Sequence, residues 1–283
     1  VCMSRNNEIF NQDQPSVETP AQQTRAQASQ ELGFDIPVET VPLPSQGLVY
    51  PAGHPLHMKT SIDIRAMTAR EEDILTSRAL IKSGTVISAL INSCIINKDV
   101  DASSLLSGDR NAIMTAIRIT GYGAEYEVDI ECPECTAKQK KSFNLSALPI
   151  NSLQYEPDTS GNNKFSFQLP ASKKTVTVRF ATGQDEEEAT ITEQRKKKQG
   201  LIANTAITDR LFNAITAIDG IEDRPKIRTF ITNMPARDSL TIRAWLDKNE
   251  PSVSMDVGFE CDVCAHEEEM PLPMGATFFW PQA

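Results

Sequence analysis

Six cysteines stand in the chain, and four of them form two pairs of one spacing, Cys132-Pro-Glu-Cys135 and Cys261-Asp-Val-Cys264. Two thiols separated by two residues at a hairpin tip make a knuckle that aims both sulfurs at one point, while N–H groups of the turn donate to them. Two knuckles supply four thiolates, the ligand set of a tetrahedral site with no position left for water. The chemistry these residues suit is therefore structural binding of Zn2+. The local design repeats around each pair. Tyr126, Val128 and Ile130 alternate before the first, Met255, Val257 and Phe259 before the second, and Glu131 and Glu260 hold the equivalent place directly before the cysteines. Disulfides within each pair, a redox dithiol and an iron–sulfur cluster are the competing readings. A redox pair needs a helix N-terminus to stabilise its thiolate, and both pairs here follow strand-like alternation.

Cys135 and Cys261 have 125 residues between them, against about 15–20 in a compact zinc ribbon. The intervening chain must then be an insertion whose ends return to one place, and the metal would staple segments distant in sequence. Structural zinc sites bind with about 10–16 kcal/mol in peptides, and that free energy is coupled to folding. Lys138, Lys140 and Lys141 leave the first knuckle and Glu267, Glu268 and Glu269 the second; hairpins lying side by side would let these runs face each other, and the alternative is two exposed strands with solvated charges. His266 reads as an exposed neighbour of the second knuckle, Cys94 as core, and Cys2 has no evident role. His54 and His57 flank Pro55 without a matching acid at ligand spacing and read as surface residues. The chain holds no Gly-rich phosphate loop, no HExxH and no GxSxG, so no enzymatic activity is expected.

The elements that must carry the knuckles can be read from periodicity. Ile36 to Tyr50, with Pro42, Pro44 and Gly47, suits extended segments and turns, and Ile62, Ile64 and Ala66 alternate as a half-buried strand. Thr68 with Glu71 forms a capping box that starts a helix, which Gly84 ends. Ile87, Leu90, Ile91, Cys94 and Ile95 make one apolar helical stripe. A further helix is expected over Asp109 to Ile119, stopping at Gly121 and Gly123, before the strand that enters Cys132. Short strands fill Asn144 to Arg179 around a polar turn at Asp158 to Asn163. Residues 185–199 place Glu186, Glu187 and Glu188 first and Arg195 to Lys198 last, the order that complements a helix dipole. Ile207, Leu211, Ala214, Ile215 and Ile218 form a second helical stripe ended by Gly220, and shorter helices are expected after Pro225 and Pro235.

Composition narrows the class. Hydrophobic residues make up 40% of 283, enough for a core. With 28 Lys and Arg against 38 Asp and Glu the net charge is −10, which repels phosphate backbones, so nucleic acid is not expected as the main partner. No run of about 18 apolar residues spans a bilayer and no signal-peptide order opens the chain, so a soluble protein made in a reducing cytosol is expected. The fold class expected is α+β: helical bundle segments with short antiparallel strands, and a split zinc-ribbon-like pair of CxxC hairpins. Its organisation is a flexible N-terminal arm over 1–33, extended segments plus helices over 34–123, a split zinc-ribbon module over 124–148 and 252–281, and an inserted strand and helix region over 149–251.

Several stretches, in order, resemble one family. They are Val41-Pro-Leu-Pro-Ser-Gln-Gly-Leu-Val-Tyr-Pro51, Ile64-Arg-Ala-Met-Thr-Ala-Arg-Glu-Glu-Asp-Ile-Leu75, the helix ending in Cys94-Ile-Ile, and Tyr122-Gly123 before the first knuckle. Met234-Pro-Ala-Arg-Asp238, the second knuckle and the closing Phe278-Phe-Trp-Pro281 complete the series. Over residues 37 to 281 the chain is similar to the T-even-type phage baseplate hub proteins. The resemblance implies a structural component of the contractile tail baseplate in the hub region, found in the virion and assembled in the host cytoplasm. Its implied partners are other phage baseplate and tail proteins, with no membrane; the oligomeric state stays open. A hub assembly chaperone absent from the mature virion, and a zinc-ribbon nucleic-acid-binding protein, are the alternatives. The family supplies no catalytic residues to carry over.

Overall fold

In a computed structural model, residues 35–198, 205–272 and 278–279 are described; Cys2 and the arm expected over 1–33 lie outside them. The chain divides into Val1–Pro37 and Val38–Ala283, and every element below belongs to the second unit. Its order is mixed helix and short antiparallel strand.

Strand β1 (Val38–Pro42) pairs antiparallel with β2 (Ser61–Arg65), Val41 facing Ile62 and Glu39 facing Ile64. Val41, Ile62 and Ile64 are buried, as alternation predicts. The loop between the strands is held by a buried carboxylate far along the chain. Asp109 accepts from Ser45 N at 2.9 Å, Ser45 Oγ at 2.5 Å and Tyr50 Oη at 2.6 Å. Burial raises the pKa of that carboxyl, and the hydrogen bonds from Ser45 and Tyr50 oppose the rise.

Helix α1 (Ala69–Thr76) starts on the expected capping box: the Glu71 carboxylate accepts from Thr68 N at 2.9 Å and Thr68 Oγ1 at 2.6 Å. The helix does not run on to Gly84. It breaks at Ser77, which takes extended angles, and α2 (Arg78–Ser83) follows before Gly84 turns left-handed at φ 74°. No residue of α2 is buried, so nothing in the core holds the two helices in line. Helix α3 (Val86–Cys94) buries Leu90, Ile91 and Cys94 on the predicted stripe, and Ile95 just beyond it bridges to Ile64 on the free side of β2. Helix α4 (Ser107–Tyr122) is longer than expected and forms the central rod, burying Ile113 and Ile117 completely.

Strands β3 (Glu125–Glu131) and β4 (Lys138–Asn144) form the hairpin that carries the first cysteine pair. Beyond it come β5 (Ile150–Asn151), β6 (Phe165–Gln168) and β7 (Thr175–Val178). Helix α5 (Gly183–Lys198) covers the expected charged run and opens with Asp185 and Glu186 in its first turn. Helix α6 (Ala206–Ala214) corrects the next expectation. The predicted stripe stops at Ala214, Ile207 is exposed, and Ile215–Ile218 is strand β8 paired to β7, Val176 facing Ile218. A β-branched and small segment, Ile-Thr-Ala-Ile, satisfies either period, and the open edge of β7 decides for the strand. Helices α7 (Arg224–Asn233) and α8 (Ala236–Asn249) start beside Pro225 and Pro235. The chain then returns through β9 (Ser252–Val253), which pairs with β5, into β10 (Asp256–Glu260) and β11 (Glu267–Pro271), the second hairpin.

The buried apolar residues fall into two clusters. The large one runs from Val41 through α3, α4 and the β6–β7–β8 sheet to Leu272 and Phe278. The small one holds Ile130, Cys132, Phe259 and Cys261, flanked by Val128, Cys135, Phe143 and Met270. Among the described residues no helix is long and apolar enough to cross a membrane.

Candidate metal centre

The two hairpins deliver the four cysteines by the same backbone device. In the first, Cys132 N donates to Ala137 O at 3.0 Å and Thr136 N to Cys132 O at 2.9 Å; in the second, Cys261 N donates to His266 O and Ala265 N to Cys261 O, both at 2.9 Å. The residue after each second cysteine closes the turn in the left-handed region, Thr136 at φ 58° and Ala265 at φ 54°. That conformation costs side chains other than glycine about 1–2 kcal/mol, so each knuckle holds its shape against local preference.

All four sulfurs lie within 4.8 Å of one another. The closest approaches cross between hairpins: Cys132 Sγ is 3.7 Å from Cys264 Sγ, and Cys135 Sγ is 3.6 Å from Cys261 Sγ. A tetrahedron with metal–sulfur bonds of about 2.3 Å has sulfur–sulfur edges of about 3.8 Å. The residues therefore fit a four-thiolate metal ion in number, type and spacing. A disulfide has its sulfurs about 2.05 Å apart, and all four cysteines are free. Cys132 and Cys261 are buried, Cys135 is half-buried and Cys264 is exposed, so the cluster sits at the edge of the small apolar core.

With protons alone the cluster cannot carry four negative charges. Burial works upward on the Cys261 thiol, yet the backbone N–H groups of Cys264 and Val263 and the neighbouring thiols pull it down to about 6. At Cys264 the backbone N–H of His266 pulls downward, while burial and the thiols of Cys261, Cys135 and Cys132 push it up to about 12. Ionising one sulfur thus holds the proton on another, a balance that a dication removes by stabilising every thiolate at once.

Residues with no signal in the spacing knit the hairpins together. Gln139 of β4 donates Nε2–H to Cys261 Sγ at 2.8 Å and accepts Asp262 N–H on Oε1 at 2.9 Å. Lys141 pairs with Asp262 at 2.6 Å, and its ammonium lies 5.8 Å from the centre of the Phe259 ring. Alternation in β4 could have shown that Gln139 and Lys141 share a face; only the docked hairpins show what that face meets.

The two charge runs do not face each other as expected. Lys138 pairs with Glu131 and Lys140 with Glu127, each at 3.9 Å, across their own hairpin. The second hairpin sets Glu260 directly opposite Glu267, a like-charge pair with no lysine between the strands. Register decides this: antiparallel pairing puts Glu131 against Lys138 before any other strand is within reach. His266 lies outside the sulfur cluster, 3.4 Å from Glu268. His54 and His57 are half-buried rather than surface residues. His54 stacks on Tyr50 with ring centres 4.5 Å apart, its Nδ1 accepts from Leu56 N and its Nε2 lies 3.1 Å from Ser104 Oγ. His57 Nδ1 is 2.6 Å from Tyr50 O. Both serve the loop between β1 and β2.

Compared with known families, the chain matches the one described as T4 bacteriophage base plate protein over residues 40–280, a span that includes both hairpins, and it belongs to that family. No curated protein and no solved structure gives a significant match.

Proposed function

Starting from membership of the T4 bacteriophage base plate protein family, we propose that the chain is a structural component of a contractile phage tail baseplate, in its hub region. In this reading it binds neighbouring baseplate and tail proteins, and one structural Zn2+ on Cys132, Cys135, Cys261 and Cys264 stabilises it. The observation that carries the proposal is that the family match runs over residues 40–280, from within β1 through β11, with the four-sulfur cluster inside it.

The role is to hold neighbours, not to catalyse. Four thiolates fill a tetrahedral ion and leave no open position at which water could be activated. His54 supports the same reading: a general base must accept a proton, whereas His54 Nδ1 already accepts Leu56 N–H at 3.1 Å and leaves Nε2 as the donor toward Ser104. A net charge of −10 favours protein neighbours over nucleic acid.

Two measurements test this together. Mass spectrometry of purified tails is expected to find the chain in finished particles, and metal analysis of the isolated protein is expected to find one zinc per chain. Detection in assembly intermediates and not in finished tails would make the chain an assembly chaperone that departs. A folded protein that takes up no zinc would remove the metal from the proposal.

A further inference from the structure

The two hairpins are built alike, yet they treat each other's cysteines differently. Gln139 reaches from the first hairpin to the second knuckle and touches it twice. A backbone N–H can only donate, so the side-chain atom 2.9 Å from Asp262 N must be Oε1, and that settles the amide: Nε2 is the atom facing Cys261 Sγ at 2.8 Å. Val263 N adds a second, longer contact to the same sulfur at 3.4 Å.

The place in the second hairpin equivalent to Gln139 is taken by Glu268, four residues after the second cysteine in each case. Glu268 is exposed and pairs with His266 at 3.4 Å. An ionised carboxylate has no hydrogen to offer a sulfur. Among the described residues Gln139 is the one side-chain nitrogen within hydrogen-bond distance of any of the four knuckle sulfurs. The clasp is therefore one-sided and centres on Cys261.

We propose that Gln139 is a positioning residue for the metal: it aims the Cys261 thiolate, draws off part of its charge, and sets how tightly the ion is held. The inference rests on the zinc reading above. A donor to a coordinating thiolate fixes the sulfur's direction and lowers its nucleophilicity, and such outer partners are worth about 10–100-fold in metal affinity. The Oε1 contact to Asp262 N serves the same end, because it ties the amide to the turn that bears the sulfur.

Chelator competition and cobalt substitution on the full chain test this, with three variants beside the parent. Gln139→Glu keeps an oxygen for Asp262 N but loses the donor, and Gln139→Ala loses both. Each is expected to weaken zinc binding by about 10–100-fold and to move the sulfur-to-cobalt charge-transfer band to longer wavelength, as a more electron-rich thiolate requires. Lys141→Met removes the ion pair between the hairpins without touching a sulfur. It is expected to change affinity by less than about 5-fold, the scale of a partly exposed ion pair, and to leave the band in place. If both Gln139 variants bind zinc within twofold of the parent with an unshifted band, or if Lys141→Met reproduces their effect, Gln139 has no direct role at the sulfur. A parent chain that binds neither zinc nor cobalt would instead overturn the zinc reading, and this inference with it.

Discussion

Side chains at two places do more than their residue types announce. One is the cysteine cluster; the other is Glu71, which joins three elements. Its carboxylate, fully buried, takes Arg65 Nη2 at 2.6 Å and Nη1 at 3.1 Å from β2, both Thr68 groups at the start of α1, and Ser93 Oγ at 2.7 Å from α3. Burial alone would raise its pKa, but the hydrogen bonds from Arg65, Thr68 and Ser93 overcome this and hold it far below the usual carboxylate range. Replacing Glu71 by Ala leaves the Arg65 guanidinium with only neutral acceptors, Ala66 O and Ser93, and is expected to cost about 3 kcal/mol at neutral pH, the low end for breaking a buried pair, read from urea unfolding. Because the folded pKa is depressed, this stabilisation is complete above the unfolded value of about 4.3 and is lost as the pH falls below it toward the folded pKa. The gap between parent and variant should narrow in acid; a gap constant from pH 7 down to 2.5 would assign the loss to packing. The capping role of Glu71 is legible in the sequence from Thr68 three residues earlier. Its pairing with Arg65 is not, because that needs β2 to lie against the helix start.

At the scale of elements, the alternating strands and the α3 stripe follow from periodicity, because one face of each meets a core. The exceptions share a cause. The break at Ser77 and the strand β8 occur where local preference is nearly balanced and a neighbour settles it: α2 has no core to align with, and β8 has the edge of β7. The start of α4 shows the reverse, a sequence choice forced by a neighbour. A Cβ on Gly108 would lie 1.7 Å from Pro251 O, where the chain enters β9. Gly108→Ala must push apart α4 and the β5–β9 pair, and is expected to cost about 3 kcal/mol, the upper end of the usual range for overpacking. Gly53→Ala, with nothing within 4 Å of its added Cβ, is the control. Equal unfolding midpoints for the two variants would show that the approach at Gly108 relaxes freely.

For the whole molecule, the division of the buried apolar residues into two clusters, joined only through flanking residues such as Val128 and Phe143, bears on what the proposed zinc would stabilise. Protein contacts tie the ends of the middle region together: Ile150 pairs with Val253, Ser254 N donates to Pro149 O at 2.8 Å, and Leu272 is buried in the large core. Cys132 and Cys261 belong to the small cluster with Ile130 and Phe259, Cys135 packs against it, and Cys264 is exposed beside it. Stripping the proposed zinc with a chelator is therefore expected to open the hairpin tips and spare the body. Hydrogen exchange should show lost protection around residues 128–141 and 257–270, with α4 unchanged. Protection lost through α4 as well would mean that the ion holds the body together.

The sequence by itself determined the cysteine pairs, their strand-borne hairpins, the mixed helix and strand class and the acidic balance, because each depends on spacing or composition within a few turns of chain. Tertiary structure decided the rest. It brought two knuckles separated by 125 residues to within 4.8 Å, paired Lys138 and Lys140 across their own hairpin and Lys141 with Asp262 of the other, and set Gln139 against Cys261. Those outcomes depend on which surfaces dock and in what register, a choice made by long-range packing that no local pattern records.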